Sequence, residues 1–594
     1  MITHKHFFIV WIAILGLITW AAGCGGGMAD ANGGGSNSTQ YNSNGGSYSN
    51  IGTSGAQDIG QFRSILESGA IPAANTLDAN GFFSEHHTEL PPPDCGDDIC
   101  VHGMLAVHND WVYGEYQAAL QVAMNSPIDA SGLERRPLDL VVVVDTSGSM
   151  ADQNKMSYVK QGLDLLIDQL HEGDRMALVR YDGFVEVLSD LQEPASATAL
   201  HALVNNLYPA GSTNFFGGLE AGLQMAADAT VAERQSRVIM LSDGQPTTGI
   251  TDDPSIIAMA EGYIADGVGL TTVGVGTSFN VELMRGLAER GAGNFYFLED
   301  AEAIDEVFTE ELNYFVTPIA YDLQIEVVNG AGYTLGEVVG THLWTTDGYH
   351  GTIDIPAVFL ASRTSQEDPP AGTEGRRGGG SAIIIELVPN DSWPELADPH
   401  EAAQIRMTYR LPGSDQVVEQ VVTVANPNAP GVHLEQPFYT HQAIEKNHAM
   451  YNVFLGLRDA SQRAETSHNH ALWVLEQLEA RASAWNAESN DEDIEADLML
   501  IDQFMGNLRE YGAWAVNPND PNDPGNDPCY GSDDPYCNDP CAYGGCNDYY
   551  YEDDHQGGFF GCSTAQAADF SPVALALILL VLGGIIRRRR DERA

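Results

Sequence analysis

Residues 139–145 read DLVVVVD, an unbroken β-branched run of the kind a strand needs when it is buried on both faces. Just beyond it, Met156, Val159, Leu163, Leu166, Ile167 and Leu170 recur at helical spacing. The pattern then predicts a hairpin, 176–179 and 185–188 around Tyr181-Asp182-Gly183, and helices near 195–206 and 217–228. A buried strand at 238–241, a helix near 254–266, a strand at 270–274, a helix near 281–290 and a strand at 294–297 follow. A helix over 304–314 closes the series. Strand and helix alternate throughout, which implies an α/β domain with a doubly wound, mostly parallel sheet. Ligands of such sheets bind at the carboxyl ends of the strands.

Those ends hold the chemistry-bearing residues. The first strand runs into Asp145-Thr146-Ser147-Gly148-Ser149, a later loop holds Gly211-Ser212-Thr213-Asn214, and the central strand ends in Ser242-Asp243-Gly244. Three loops distant in sequence thus meet at one sheet edge. Asp145-x-Ser147-x-Ser149, then Thr213, then Asp243-Gly244, resembles the metal-ion-dependent adhesion site of von Willebrand factor A domains, and the resemblance covers residues 137–314. It implies a Rossmann-like fold and a divalent ion, Mg2+ or else Mn2+ or Ca2+, held by Asp145, Ser147, Ser149, Thr213 and Asp243. It also implies that the last ligand is an Asp or Glu carboxylate of a partner protein. The donor set suits a hard cation, since hydroxyls and carboxylates are oxygen ligands. Two carboxylates balance the ion and leave it an acceptor for one more anionic oxygen. Helix N-capping by Ser and Asp would account for one of the loops, but not for three.

The flanks suggest further units. Residues 59–90 resemble the N-terminal segment of the YfbK-like group of bacterial von Willebrand A proteins, and SAIIIELVP at 381–389 resembles that group's C-terminal region. Strand patterns at 323–328, 381–388, 403–410 and 417–424 predict a β-sandwich beside the α/β domain, completed by strands within 101–122. Residues 442–461 and 471–508 are amphipathic and predict a C-terminal helical hairpin. The expected organisation is a signal peptide (1–24), a Gly/Ser/Asn-rich linker (25–55), the N-terminal segment (56–136), the α/β domain (137–316), a β-rich domain (317–435) and a helical segment (436–512). An acidic disordered tail (513–561) and a membrane or sorting segment (562–594) follow.

The two ends carry address signals. An apolar run at 7–20 after Lys5 reads as a secretory leader. Ala21-Ala22-Gly23-Cys24 resembles a lipoprotein processing box with Cys24 as the lipidated residue, and plain cleavage after a small residue is the other reading. Near the C-terminus, residues 570–586 are nearly all apolar and are followed by Arg587 to Arg590, so this span expects its arginines inside and the rest outside. With Gly561-Cys562 just upstream, this end resembles myxobacterial C-terminal sorting signals, which implies processing near Cys562. A permanent single-span anchor is the alternative. Cys95 and Cys100 form a close pair suited to a local disulfide in an oxidising compartment. Cys529, Cys537, Cys541 and Cys546 lie in the polar tail, where disulfides or zinc are the two options.

Composition narrows the function class. Acidic residues number 83 against 27 basic ones, a formal charge of -56, which repels nucleic-acid backbones. No nucleophile elbow, phosphate-binding loop or His-Glu-x-x-His motif is present, and His400-Glu401-Ala402-Ala403-Gln404 lacks the second histidine. His468 and His470 read as surface residues. The expectation is a non-enzymatic, surface-exposed, membrane-tethered binding protein with no evident small-molecule substrate, serving adhesion or envelope assembly. A structural envelope protein whose metal only stiffens loops, and a hydrolase accessory subunit, are the alternatives.

Overall fold

The computed structural model describes residues 49–516, except 129–135, 193–196, 232, 277–278, 299–302, 305–306, 309–317, 362–378, 391–399, 415 and 515. The leader, Cys24, the acidic tail with its four cysteines, Cys562, the C-terminal apolar run and most of the expected 304–314 helix lie outside the described residues. Among the described residues no helix is long and apolar enough to cross a membrane.

The N-terminal part contains β1 (Ser49–Thr53), β2 (Gly55–Ala56), α1 (Gly60–Glu67), α2 (Ala79–Ser84), β3 (Cys100–Asn109) and β4 (Tyr116–Ser126). The α/β domain follows with β5 (Leu138–Asp145), α3 (Lys155–Gln169), β6 (Arg175–Tyr181), β7 (Val185–Gln192), α4 (Ala197–Asn205) and α5 (Phe215–Ala229). It continues through β8 (Gln235–Ser242), α6 (Asp253–Ala265), β9 (Gly269–Val275), α7 (Val281–Arg290) and β10 (Asn294–Leu298). The β-rich part comprises β11 (Ala320–Asn329), β12 (Tyr333–Val339), β13 (Trp344–Thr346), β14 (His350–Leu360), β15 (Ile383–Pro389), β16 (Glu401–Arg410), β17 (Val417–Ala425) and β18 (Phe438–Tyr439). The last described helices are α8 (Ala443–Ala464), α9 (His468–Ser489) and α10 (Glu492–Glu510).

The α/β sheet has the order β2-β10-β9-β8-β5-β6-β7, parallel throughout except for the β6–β7 hairpin. The run 139–145 is an interior strand of it, flanked by β8 and β6, and every residue of β5 is buried. Alternate side chains serve opposite cores. Leu140, Val142 and Val144 pack with α3 and α4, whereas Val141 and Val143 pack with α5, α6 and α7. Burying each such valine is worth roughly 1.5–3 kcal/mol. Helix α5 lies close to β5 because Gly222 faces it; a Cβ there would come 2.3 Å from Val143.

The adjacent sheet is antiparallel, 11-stranded, and folds over a single apolar cluster drawn from both of its halves. Strand β1 joins the halves, pairing β4 on one side and β14 on the other. Its next-door neighbour β2 pairs β10 and becomes the edge of the α/β sheet. Residues 49–55 had the composition of a linker, but they join two sheets, through backbone pairing of β1 and β2, the buried Ile51 and the side-chain hydrogen bonds of Asn50 and Thr53.

The helical segment is three helices, not a hairpin. Within the stretch 471–508, Asn490 takes a left-handed conformation at φ 51° and Asp491 caps α10 by accepting from the N–H groups of Asp493 and Ile494. Asn at a helix end and Asp at a start are the break signals that amphipathic spacing alone passes over. These helices share a core with α1 and α2.

Candidate metal centre

The three motif loops converge at the carboxyl edge of the α/β sheet. Asp145 is the last residue of β5, and Asp243 directly follows β8, the parallel neighbour of β5. Asp145 Oδ1 accepts the Ser147 N–H at 2.8 Å, while Oδ2 accepts the hydroxyls of Ser242 at 2.9 Å and Tyr181 at 3.2 Å. Ser147 Oγ lies 3.1 Å from Ser149 Oγ, and Ser149 Oγ donates to Asp243 Oδ1 at 2.8 Å. Thr213 joins by its backbone: its N–H donates to Thr247 Oγ1 at 2.9 Å and its carbonyl accepts from Thr247 N at 3.0 Å. Its hydroxyl reaches the same spot, for a Cβ placed on Gly244 would stand 3.8 Å from both Thr213 Oγ1 and Ser149 Oγ. All five expected side chains are therefore gathered into one cluster.

Asp145, Ser147, Thr213 and Asp243 are buried, and Ser149 is exposed, so the cluster opens outward on one side. Burial pushes the Asp145 carboxyl above its ordinary value; the Ser147 N–H and hydroxyl pull it down, and the nearby Asp243 charge pushes it up again. Burial, with the Asp145 charge, raises the Tyr181 phenol well above its ordinary range, so it serves Asp145 as a hydrogen-bond donor. Two buried carboxylates bridged by serine hydroxyls, with a threonine hydroxyl beside them, form an oxygen donor set that fits a hard divalent ion.

Sequence spacing missed three members of the cluster: Tyr181, Ser242 and, most consequential, Lys155. The Lys155 ammonium donates to Asp243 Oδ2 at 2.8 Å, with its side chain 6% exposed and that of Asp243 0%. Counting two carboxylates as balancing a divalent ion was therefore incomplete, because a fixed positive charge already sits on one of them. The adjacent Gln153 and Asn154 are both left-handed, at φ 52° and 61°, and this turn aims the first residue of α3 inward. Ser242, adjoining Asp243, was the most visible of the three in the sequence; nothing local marked Lys155 as buried.

The rim is partly apolar. The Asp182 N–H donates to the Phe184 carbonyl at 2.9 Å, and the Asp182 carbonyl accepts from Asn214 N at 2.8 Å, which docks the β6–β7 tip onto the Thr213 loop. Phe184, at that tip, is 85% exposed; Tyr208 and Ile250 are exposed too, and Arg180 lies 5.4 Å over the Tyr208 ring.

Other expected residues sit elsewhere. Cys95 and Cys100 are disulfide-bonded at the start of β3, with Cα atoms 5.6 Å apart. His468 and His470 lie on the first turn of α9, where Ser467 caps the His470 N–H and the His468 ring meets Tyr511.

Residues 139–310 match the family model of the von Willebrand factor type A domain. The protein YfbK of Escherichia coli (strain K12) is 30% identical over 190 residues, which cover 32% of this chain and 33% of YfbK, so the chain spans about a third of that relative's length. A solved von Willebrand factor type A structure from Catenulispora acidiphila is 15% identical with a TM-score of 0.42, covering 67% of this chain and 89% of that one. Proximal thread matrix protein 1 from the mussel byssus, solved with a zinc-occupied metal-ion-dependent adhesion site, is 21% identical with a TM-score of 0.25, covering 29% of this chain and 45% of its own. By its family match, its sheet order and its loop residues, the segment 139–310 is a von Willebrand factor type A domain.

Proposed function

We propose that this chain binds a protein partner through a divalent cation held by Asp145, Ser147, Ser149, Thr213 and Asp243. The observation that carries the reading is the convergence of those five side chains into one buried, outward-opening oxygen cluster. An ion bound there supplies a positive centre for an acidic side chain of the partner. The chain's own residues do the rest: Tyr181, Ser242 and the Ser147 N–H orient Asp145, and the exposed Phe184, Tyr208 and Ile250 offer apolar contact beside the centre. Tyrosine and arginine, present here as Tyr208 and Arg180, are among the residue types that dominate protein contacts. Magnesium is the ion proposed, with manganese or calcium as substitutes. The leader at 1–24 and the apolar run at 570–586 support export and membrane tethering, so that this face meets partners outside the cytoplasm.

A second reading has one observation in its favour. The Lys155–Asp243 ion pair can hold the loops without an ion, which suits a purely structural envelope protein. Calorimetric titration of the purified protein with Mg2+ and Mn2+ separates the two. Heat of binding that disappears in Asp145→Ala, with circular dichroism unchanged, is the expected result; absence of binding by wild type overturns the metal reading.

A further inference from the structure

We propose that Lys155 is a fixed counter-charge that makes metal uptake at this site conditional on an external carboxylate. The inference rests on the metal reading above. Asp145 and Asp243 bring two negative charges, and the Lys155 ammonium, 2.8 Å from Asp243 Oδ2, removes one of them. A divalent ion entering a cluster of net charge −1 leaves it at +1. An uncompensated charge in a buried setting is costly, and a carboxylate from outside restores neutrality. Without Lys155 the same ion would be neutralised by the two aspartates alone, and the incoming carboxylate would gain little. The lysine thus couples the two ligands: the carboxylate raises affinity for the metal, and the metal raises affinity for the carboxylate by the same factor.

Lys155 is built in rather than resting on the site. Its stem passes beside Gly276, where a Cβ would come 2.5 Å from Lys155 Cε, and Gly276 is held at φ +73°, a conformation other residues rarely take. Its backbone begins α3 directly after the left-handed pair Gln153 and Asn154. With both the stem and the backbone confined, the ammonium has little room to withdraw when an ion arrives.

The test is calorimetric titration of the whole purified protein with Mn2+, in acetate and in chloride at equal ionic strength. Acetate is the carboxylate probe. Wild type is expected to bind Mn2+ weakly in chloride and several-fold more tightly in acetate. Lys155→Met should bind Mn2+ in chloride roughly tenfold or more tightly than wild type, because one like charge beside the ion is gone. Its gain from acetate should shrink. Lys155→Gln, which keeps a hydrogen-bond donor for Asp243, is expected to behave the same way and guards against a folding defect in the Met variant. Both variants should also show a larger rise in melting temperature on adding Mn2+ than wild type does. Equal or weaker binding by both variants in chloride, or an undiminished acetate gain, overturns the role of Lys155. If wild type takes up no metal in either salt while staying folded, the metal reading itself falls, and this inference with it.

Discussion

At the residue scale, the two aspartates of the cluster are not equivalent. Asp145 is held by the Ser147 N–H and by two hydroxyls, whereas Asp243 pairs with Ser149 and Lys155. Asp145→Ala leaves neutral donors without an acceptor, a cost of about 1–3 kcal/mol. Asp243→Ala strands a buried ammonium as well and should cost about 3–5 kcal/mol. Urea melts of the two variants in EDTA are expected to show that order, and equal losses would contradict it. Thr213→Ala removes a neutral hydroxyl and no charge. It should weaken Mn2+ binding less than either aspartate variant, measured by the same titration, while leaving the melt close to wild type.

At the element scale, α7 of the von Willebrand domain is tied to its neighbours by charge. Glu289 accepts from Thr341 Oγ1 and His342 N, both at 2.9 Å, and lies 3.1 Å from His342 Nδ1. Asp78, just before α2, lies 3.3 Å from Arg285 and 3.4 Å from His342 Nε2. The hydrogen bond to Glu289 raises the His342 pKa against the effect of burial, and Asp78 raises it further. Burial opposes the Asp78 carboxylate, yet Arg285, His342 and the N–H groups of Gly81 and Asn80 together hold that group below its usual range. A histidine whose folded pKa is raised contributes its full stabilisation below the unfolded value, about 6.5, and loses it as pH rises through the higher folded value. Hydrogen exchange of α7 should therefore quicken, relative to its intrinsic rate, as pH climbs past that window. His342→Gln should flatten the change; a wild-type profile with no such step would contradict the assignment. The β6–β7 tip makes a second prediction. Phe184→Ser should move stability by no more than about 0.5 kcal/mol, since the ring is 85% exposed, and leave Mn2+ affinity alone. Binding of Asp-centred peptides flanked by apolar residues should fall in that variant, whereas peptides flanked by serine should be indifferent to it.

At the scale of the whole molecule, residues 49–56 link what would otherwise be separate units. Strand β1 bridges the halves of the antiparallel sheet, β2 extends the α/β sheet, and α1 and α2 enter the core of α8, α9 and α10. A chain starting at residue 59 should lose cooperativity, unfolding in two or more calorimetric transitions where the longer chain shows fewer. Topology is a further prediction. Protease added to intact cells should reach the von Willebrand domain, and labelling with a lipid precursor in Cys24→Ala and Cys562→Ala strains should show which cysteine, if either, is acylated. A domain that stays resistant after the outer membrane is permeabilised would refute export.

Local pattern carried much of this. Periodicity over 139–298 placed the strands and helices of the α/β domain, because burial on one or both faces imposes a period on the residues themselves. The loops bearing Asp145, Thr213 and Asp243 could be assigned to one sheet edge because parallel strands all end on the same side. What the sequence did not disclose depends on which surfaces meet. Lys155 and Asp243 are 88 residues apart, and their pairing exists only because the start of α3 and the end of β8 meet at the carboxyl edge of the sheet. Residues 49–55, linker-like in composition, became strand together with Ala56 because distant sheet edges needed hydrogen-bond partners, a demand written in those edges and not in the segment's own composition. Side-chain period and spacing are properties of a short stretch of chain; the charge of a buried site and the pairing of a sheet edge are properties of the packed whole.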